Sequence, residues 1–118
     1  LAERVSMVVT ELAENAVKYA DSSSATVRLK VQPTPNGVRC ETENDARADD
    51  IAELERLLKL VNQGDSLEVY VNALIAACED EDGLGSKVGL ARIRHEGQMT
   101  LNFEVQKSRV RIIAETAA

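Results

Sequence analysis

The stretch VRLKVQPTPNGVRCETEN, residues 27–44, limits what this chain can fold into more than any other. Val27, Leu29 and Val31 alternate with Arg28 and Lys30. After PTPNG, Val38, Cys40 and Thr42 alternate with Arg39, Glu41 and Glu43. Period-two alternation is the signature of a half-buried strand, because successive side chains point to opposite faces. Asn36-Gly37 tolerates positive φ and favours a tight turn between the runs. Two consecutive strands joined this closely form an antiparallel hairpin, which excludes a chain built only of helices.

The flanking segments have a different period. Leu1, Val5, Val8, Leu12, Ala16 and Tyr19 recur every three or four residues, which predicts a helix over 2–20 with one buried stripe. Asp50 and Glu53 read as a capping pair for a second helix with Ile51, Leu54, Leu57, Leu58 and Val61 on its apolar face. After NQGD, Asp65 and Glu68 repeat that pattern before a third helix with Leu67, Tyr70, Val71, Leu74 and Cys78 on one side. EDEDGLGS reads as an acidic, glycine-bearing loop, and KVGLARIRHE as a short helix. Met99, Leu101, Phe103 and Val105 alternate, Lys107-Ser108 turns, and Val110 and Ile112 resume. Helices and strands are grouped rather than alternating singly. The predicted class is α+β, a two-layer α/β sandwich with a mixed sheet of four or more strands and helices on one face.

With 118 residues the chain suits one domain, 1–118, and its start at Leu1 reads as a trimmed N-terminus. Aromatics are 3% of residues, so the core must come from Val, Leu, Ile and Ala. A net charge of −6 with no Lys/Arg cluster excludes a nucleic-acid partner, which would need a concentrated basic footprint. No apolar run approaches the ~20 residues of a membrane span, and the opening residues do not read as a signal peptide. Cys40 and Cys78 read as two reduced, buried thiols of a cytoplasmic protein. His95, the one histidine, and two scattered cysteines do not form a zinc site.

In ELAENAVKYA, residues 11–20, Glu11, Asn15 and Lys18 fall within about one-sixth of a helical turn, ~90° from the centre of the apolar stripe. They lie at the margin where the first helix leaves the core. A carboxylate, an amide and an ammonium there can hold a hydrated Mg²⁺ and a phosphate, or can simply be the wet side of a helix. TELAENAVKYA resembles the N-box of the GHKL, or Bergerat-fold, ATPases, which include histidine-kinase catalytic domains and anti-sigma-factor serine kinases. The resemblance implies Asn15 as a Mg²⁺ ligand, Glu11 as an activator of water or of a substrate hydroxyl, and Lys18 near phosphate. GSKVGLARI, residues 85–93, is similar to the glycine-rich G2-box of that family. Gly85 and Gly89 match its outer glycines, Leu90 and Ile93 its apolar positions. The implied role is phosphate binding by free backbone N–H groups, with Ser86 and Lys87 beside them.

Three departures bear on function. The D-x-G-x-G box that reads adenine in the family corresponds here to ETENDARADD, which has no glycine. Asn44 takes the Asp position and Ala46 that of the first glycine. A neutral amide loses the charge-assisted bond, roughly twice as strong as a neutral one. Lys87 replaces the middle glycine of the G2-box. Two capped helices at 50–79 stand where the family has a flexible lid. The expectation is a degenerate histidine-kinase-like or anti-sigma-like ATPase domain. It would act without catalysis as a bacterial signalling or protein-interaction module, through acidic residues 79–82 and the two added helices. The alternative is an active Mg-ATP-binding protein of the anti-sigma serine-kinase type. The expected partner is a signalling protein, with a homodimer also open.

Overall fold

The computed structural model describes residues 2–21, 26–79 and 85–116. The order is α1 (Ala2–Tyr19), β1 (Val27–Thr34), β2 (Gly37–Asp45), α2 (Ala48–Val61), α3 (Ser66–Glu79), α4 (Gly85–His95), β3 (Met99–Gln106) and β4 (Arg109–Thr116). Leu1 and the acidic residues Asp80–Asp82 lie outside the described residues. The molecule measures 39 × 36 × 21 Å, and its thinnest dimension holds one sheet and one helix layer. This is the expected α+β sandwich. No helix among the described residues is long and apolar enough to cross a membrane.

The sheet runs β1-β2-β4-β3 and is antiparallel at every pairing, where a mixed sheet was expected. The helical crossover from β2 does bring β3 back in the same direction as β2. The β3–β4 hairpin then inserts β4 between them, so no parallel pair forms. One face of β2, β4 and β3 is buried against the helices. Val38, Cys40, Thr42 and Asn44 line up with Val110, Ile112 and Ala114, and these with Met99 and Leu101. Val8, Leu12, Leu54, Leu57, Val61, Leu90 and Ile93 close the core from the helix side. As the composition implied, the core is aliphatic, with Tyr19 its one fully buried aromatic among the described residues.

Four local expectations are corrected. The β1–β2 ladder runs to Thr34↔Gly37, so the central turn residues are Pro35 and Asn36, not Asn36 and Gly37. Pro35 locks its φ negative, which excludes the primed turn of an Asn-Gly hairpin. β1 is not half-buried. Its Val27, Leu29 and Val31 share a face with Asn44, Thr42 and Cys40, yet all three are exposed, because the helix layer stops short of this edge. α2 begins at Ala48 behind an Arg47 cap without a side-chain bond, so Asp50 sits in its first turn, and Glu53 pairs with Arg56 instead. In α3 the Asp65 cap is present, accepting from the Glu68 N–H at 3.1 Å. The apolar side, however, faces outward. Leu67, Val71, Leu74 and Ile75 are exposed, while Ala73 is the buried residue. Cys78 is consequently exposed; only Cys40 is the buried thiol expected.

Candidate functional site

α1 buries Val8, Leu12, Ala16 and Tyr19, which fixes the helix rotation and turns Glu11, Asn15 and Lys18 toward α4. α4 approaches α1 closely at Gly89, where a Cβ would run into the Glu11 carboxylate. Gly89 is thus inside the helix, and its missing side chain is what lets the helices meet. The free N–H groups of α4 belong to its start, at Gly85, Ser86 and Lys87, whereas Gly89 already lies within the intrahelical ladder.

At that start, the Lys18 ammonium donates to Ser86 Oγ at 3.0 Å. Glu11, Glu14, Asn15, Lys18 and Ser86 line a cleft of 240 Å³. Asn15 is only 5% exposed, and its Nδ2 has no hydrogen-bond partner. Stranding a buried donor costs roughly 1–3 kcal/mol, so this amide is the least satisfied group of the site.

Glu11 forms the cleft's other wall. Arg92 Nη1 lies 3.4 Å from Glu11 Oε1, an ion pair rather than a tight hydrogen bond. The same guanidinium donates from Nε to Glu96 at 2.7 Å, and Tyr70 OH donates to Glu96 at 3.1 Å. A polar chain therefore runs from α3 through α4 to α1. Burial pushes the Glu11 carboxyl above the usual range, Glu14 adds to this, and Arg92 opposes it. The Arg92 bond holds Glu96 below the usual range. Beyond the Glu11–Arg92 pair lies a second cavity of 340 Å³, lined by Glu3, Ser6, Met7, Thr10, Glu11 and Arg92. Glu11 lines both cavities, and Arg92 the second alone.

The remaining candidates are not all brought together. Asn44 is buried at 4% exposure, but its Nδ2 donates to the Asp45 carbonyl at 3.1 Å and it does not line the cleft. Lys87 is half-buried on α4 and does not line it either. His95 is half-buried, its Nδ1 3.0 Å from Ser66 Oγ and its ring 5.8 Å from Tyr70. No cluster of three or more His, Cys, Asp or Glu among the described residues is arranged to hold a metal. Two residues of the site went unread in the sequence. Arg92 stands three positions after Gly89, on the same face of α4, and Glu14 three after Glu11 on α1, so helical spacing was the available signal.

No family model matches the chain, and no curated protein matches it.

Proposed function

We propose that this chain is a GHKL-like domain that no longer turns over ATP and serves as a non-catalytic signalling or protein-interaction module of the cytoplasm. One observation carries the reading. Both charges that the resemblance would turn toward a Mg-nucleotide have partners within the protein, Glu11 on Arg92 and Lys18 on Ser86. A nucleotide must break both contacts to enter. The residues fit only the metal–phosphate half of such a ligand. At the purine end, the neutral Asn44 stands where the family has an Asp, it does not line the cleft, and residues 41–50 hold no glycine. The free thiols Cys40 and Cys78 support a reducing compartment.

The test is calorimetric titration and thermal denaturation with Mg-ATP. A ligand at a hundred times its Kd adds about 2.7 kcal/mol of stability. The expected result is no heat of binding and no shift at millimolar nucleotide. A saturable, Mg-dependent shift would overturn the proposal.

A specific observation favours the second reading, a Mg-ATP-binding protein of the anti-sigma kinase type. The orphaned Asn15 Nδ2 is a donor that asks for an acceptor such as a phosphate oxygen. In that case the Asn15 amide oxygen would hold the metal, Lys18 and the start of α4 the phosphates, and Glu11 would be the base.

A further inference from the structure

α3 does not use its most apolar side to hold itself in place. It packs chiefly on α4 through Ala73, with Val69 and Tyr70 partly buried beside it. Leu67, Val71 and Leu74 remain 51%, 42% and 40% exposed, and Ile75 53%. Leu67, Val71, Leu74 and Cys78 follow spacings of four, three and four, so at ~100° per residue they fall within ~60° of one another. That is the spacing by which one helix receives another along a seam. A bare stripe of this kind on a surface helix marks a contact site more often than a tolerated accident.

The charges around the stripe indicate what covers it. Exposed Glu68 and Glu79 lie along one flank, whereas on the other Glu96 is bonded to Tyr70 and neutralised by Arg92. α3 contains no Lys or Arg; on neighbouring α4, Arg92 is paired with Glu96 and Glu11, and Arg94 donates to the carbonyls of Val61 and Gly64 rather than to a carboxylate. A second copy of α3 would bring carboxylates against carboxylates, in a chain that already carries −6. We propose that the α3 stripe is the docking surface for an amphipathic helix of a partner protein. That helix carries large aliphatic residues at positions i, i+4 and i+7 and Lys or Arg on the flank that meets Glu68 and Glu79. The inference rests on the reading of the domain as an interaction module and names the chemistry of its partner.

The test uses fluorescein-labelled helical peptides of about five turns with a Leu seam, one flanked by Lys, a twin flanked by Glu, and a sequence-scrambled Lys control. Binding to the full chain is read by anisotropy. The Lys-flanked helix binds saturably, and the Glu-flanked twin and the scramble bind at least ten-fold more weakly. Val71→Ser with Ile75→Ser weakens the Lys-flanked helix at least ten-fold, whereas Leu29→Ser on the exposed β1 stripe does not. Glu68→Lys with Glu79→Lys, which leaves the seam intact, reverses the preference toward the Glu-flanked twin. Circular dichroism checks that each variant is folded.

Equal binding of the two peptides, or indifference to the Val71/Ile75 change, overturns the proposal. So does sedimentation showing a dimer that the Val71/Ile75 change disperses, since the occupant would then be a second copy. These outcomes are separate from the nucleotide titration. Saturable Mg-ATP binding sinks the non-catalytic reading and leaves the peptide results interpretable, and peptide failure leaves the nucleotide result standing.

Discussion

Replacing Asn15 by Leu tests whether the cleft is kept at the expense of stability. Asn15 is 5% exposed on α1 with Nδ2 unpartnered; Leu has the same fork at Cγ, and the 240 Å³ cleft beside it leaves room for its bulkier methyls. Removing a stranded amide donor recovers about 1–3 kcal/mol. Leu also exceeds Asn in helix propensity by a few tenths of a kcal/mol. Against these stands any bond made by the amide oxygen, about 1 kcal/mol for a neutral pair. The net expectation is a gain of about 1.5 kcal/mol. Unfolding entropy of about 2.1 cal/mol/K per residue converts this to a rise of about 6 °C in Tm. Urea denaturation should show a higher midpoint with an unchanged slope, the sign of altered stability without altered compactness. A midpoint lowered by more than about 1 kcal/mol equivalent would refute the reasoning. Asn15 would then be a satisfied structural residue, and the argument that this amide awaits a ligand would go with it.

Gly97→Ala should cost about 2–3 kcal/mol, or roughly 10 °C in Tm, because its Cβ would run into the Ile93 carbonyl oxygen and a Val8 methyl at the end of α4. A backbone oxygen cannot swing aside as a side chain can, so calorimetry showing a loss under 1 kcal/mol would contradict the packing described at that corner. Glu14→Gln should lower the raised carboxyl pKa of Glu11, since Glu14 is the second cause of that shift after burial. Glu11 holds its proton more tightly folded than unfolded. Its titration therefore favours the fold below the usual glutamate range, and that contribution is lost as pH rises through the raised folded value. Carbon-13 titration of Glu11 in the variant should show a lower midpoint, and an unchanged or higher one would remove Glu14 from the cause.

The fold was readable wherever a period reports on burial that follows directly from it. Val38, Cys40 and Thr42 alternate because the helix layer covers β2, and the sequence pattern and the structure agree there. The same alternation in Val27, Leu29 and Val31 predicts a buried face, yet among the described residues no helix covers it. Period two says which residues share a face, not whether a second layer reaches it. α3 fails for a related reason. Its stripe is the stronger apolar pattern, yet α4 packs against the side that carries Ala73. A small residue admits close approach of a neighbouring helix, while bulky Leu67 and Ile75 on the other side hold a partner further off. At the hairpin, the Asn-Gly signal was outweighed by Pro35, whose fixed φ moves the turn one residue earlier.

The site was legible in its members but not in their partners. Spacing alone places Glu11, Asn15 and Lys18 on one edge of α1, and the structure sets that edge against the start of α4. Whether Glu11 then faces water, a cation or a side chain depends on how near α4 comes and what it carries there. Both are decided on α4 itself. Gly89 removes the Cβ that would hold the helices apart, and Arg92, one turn later on the same face, arrives at the carboxylate as a result. A bulkier residue at position 89 would widen the cleft and loosen the Arg92 contact together. The glycine that the G2-box resemblance singles out is therefore also the one whose packing brings the Arg92 cation to the Glu11 carboxylate.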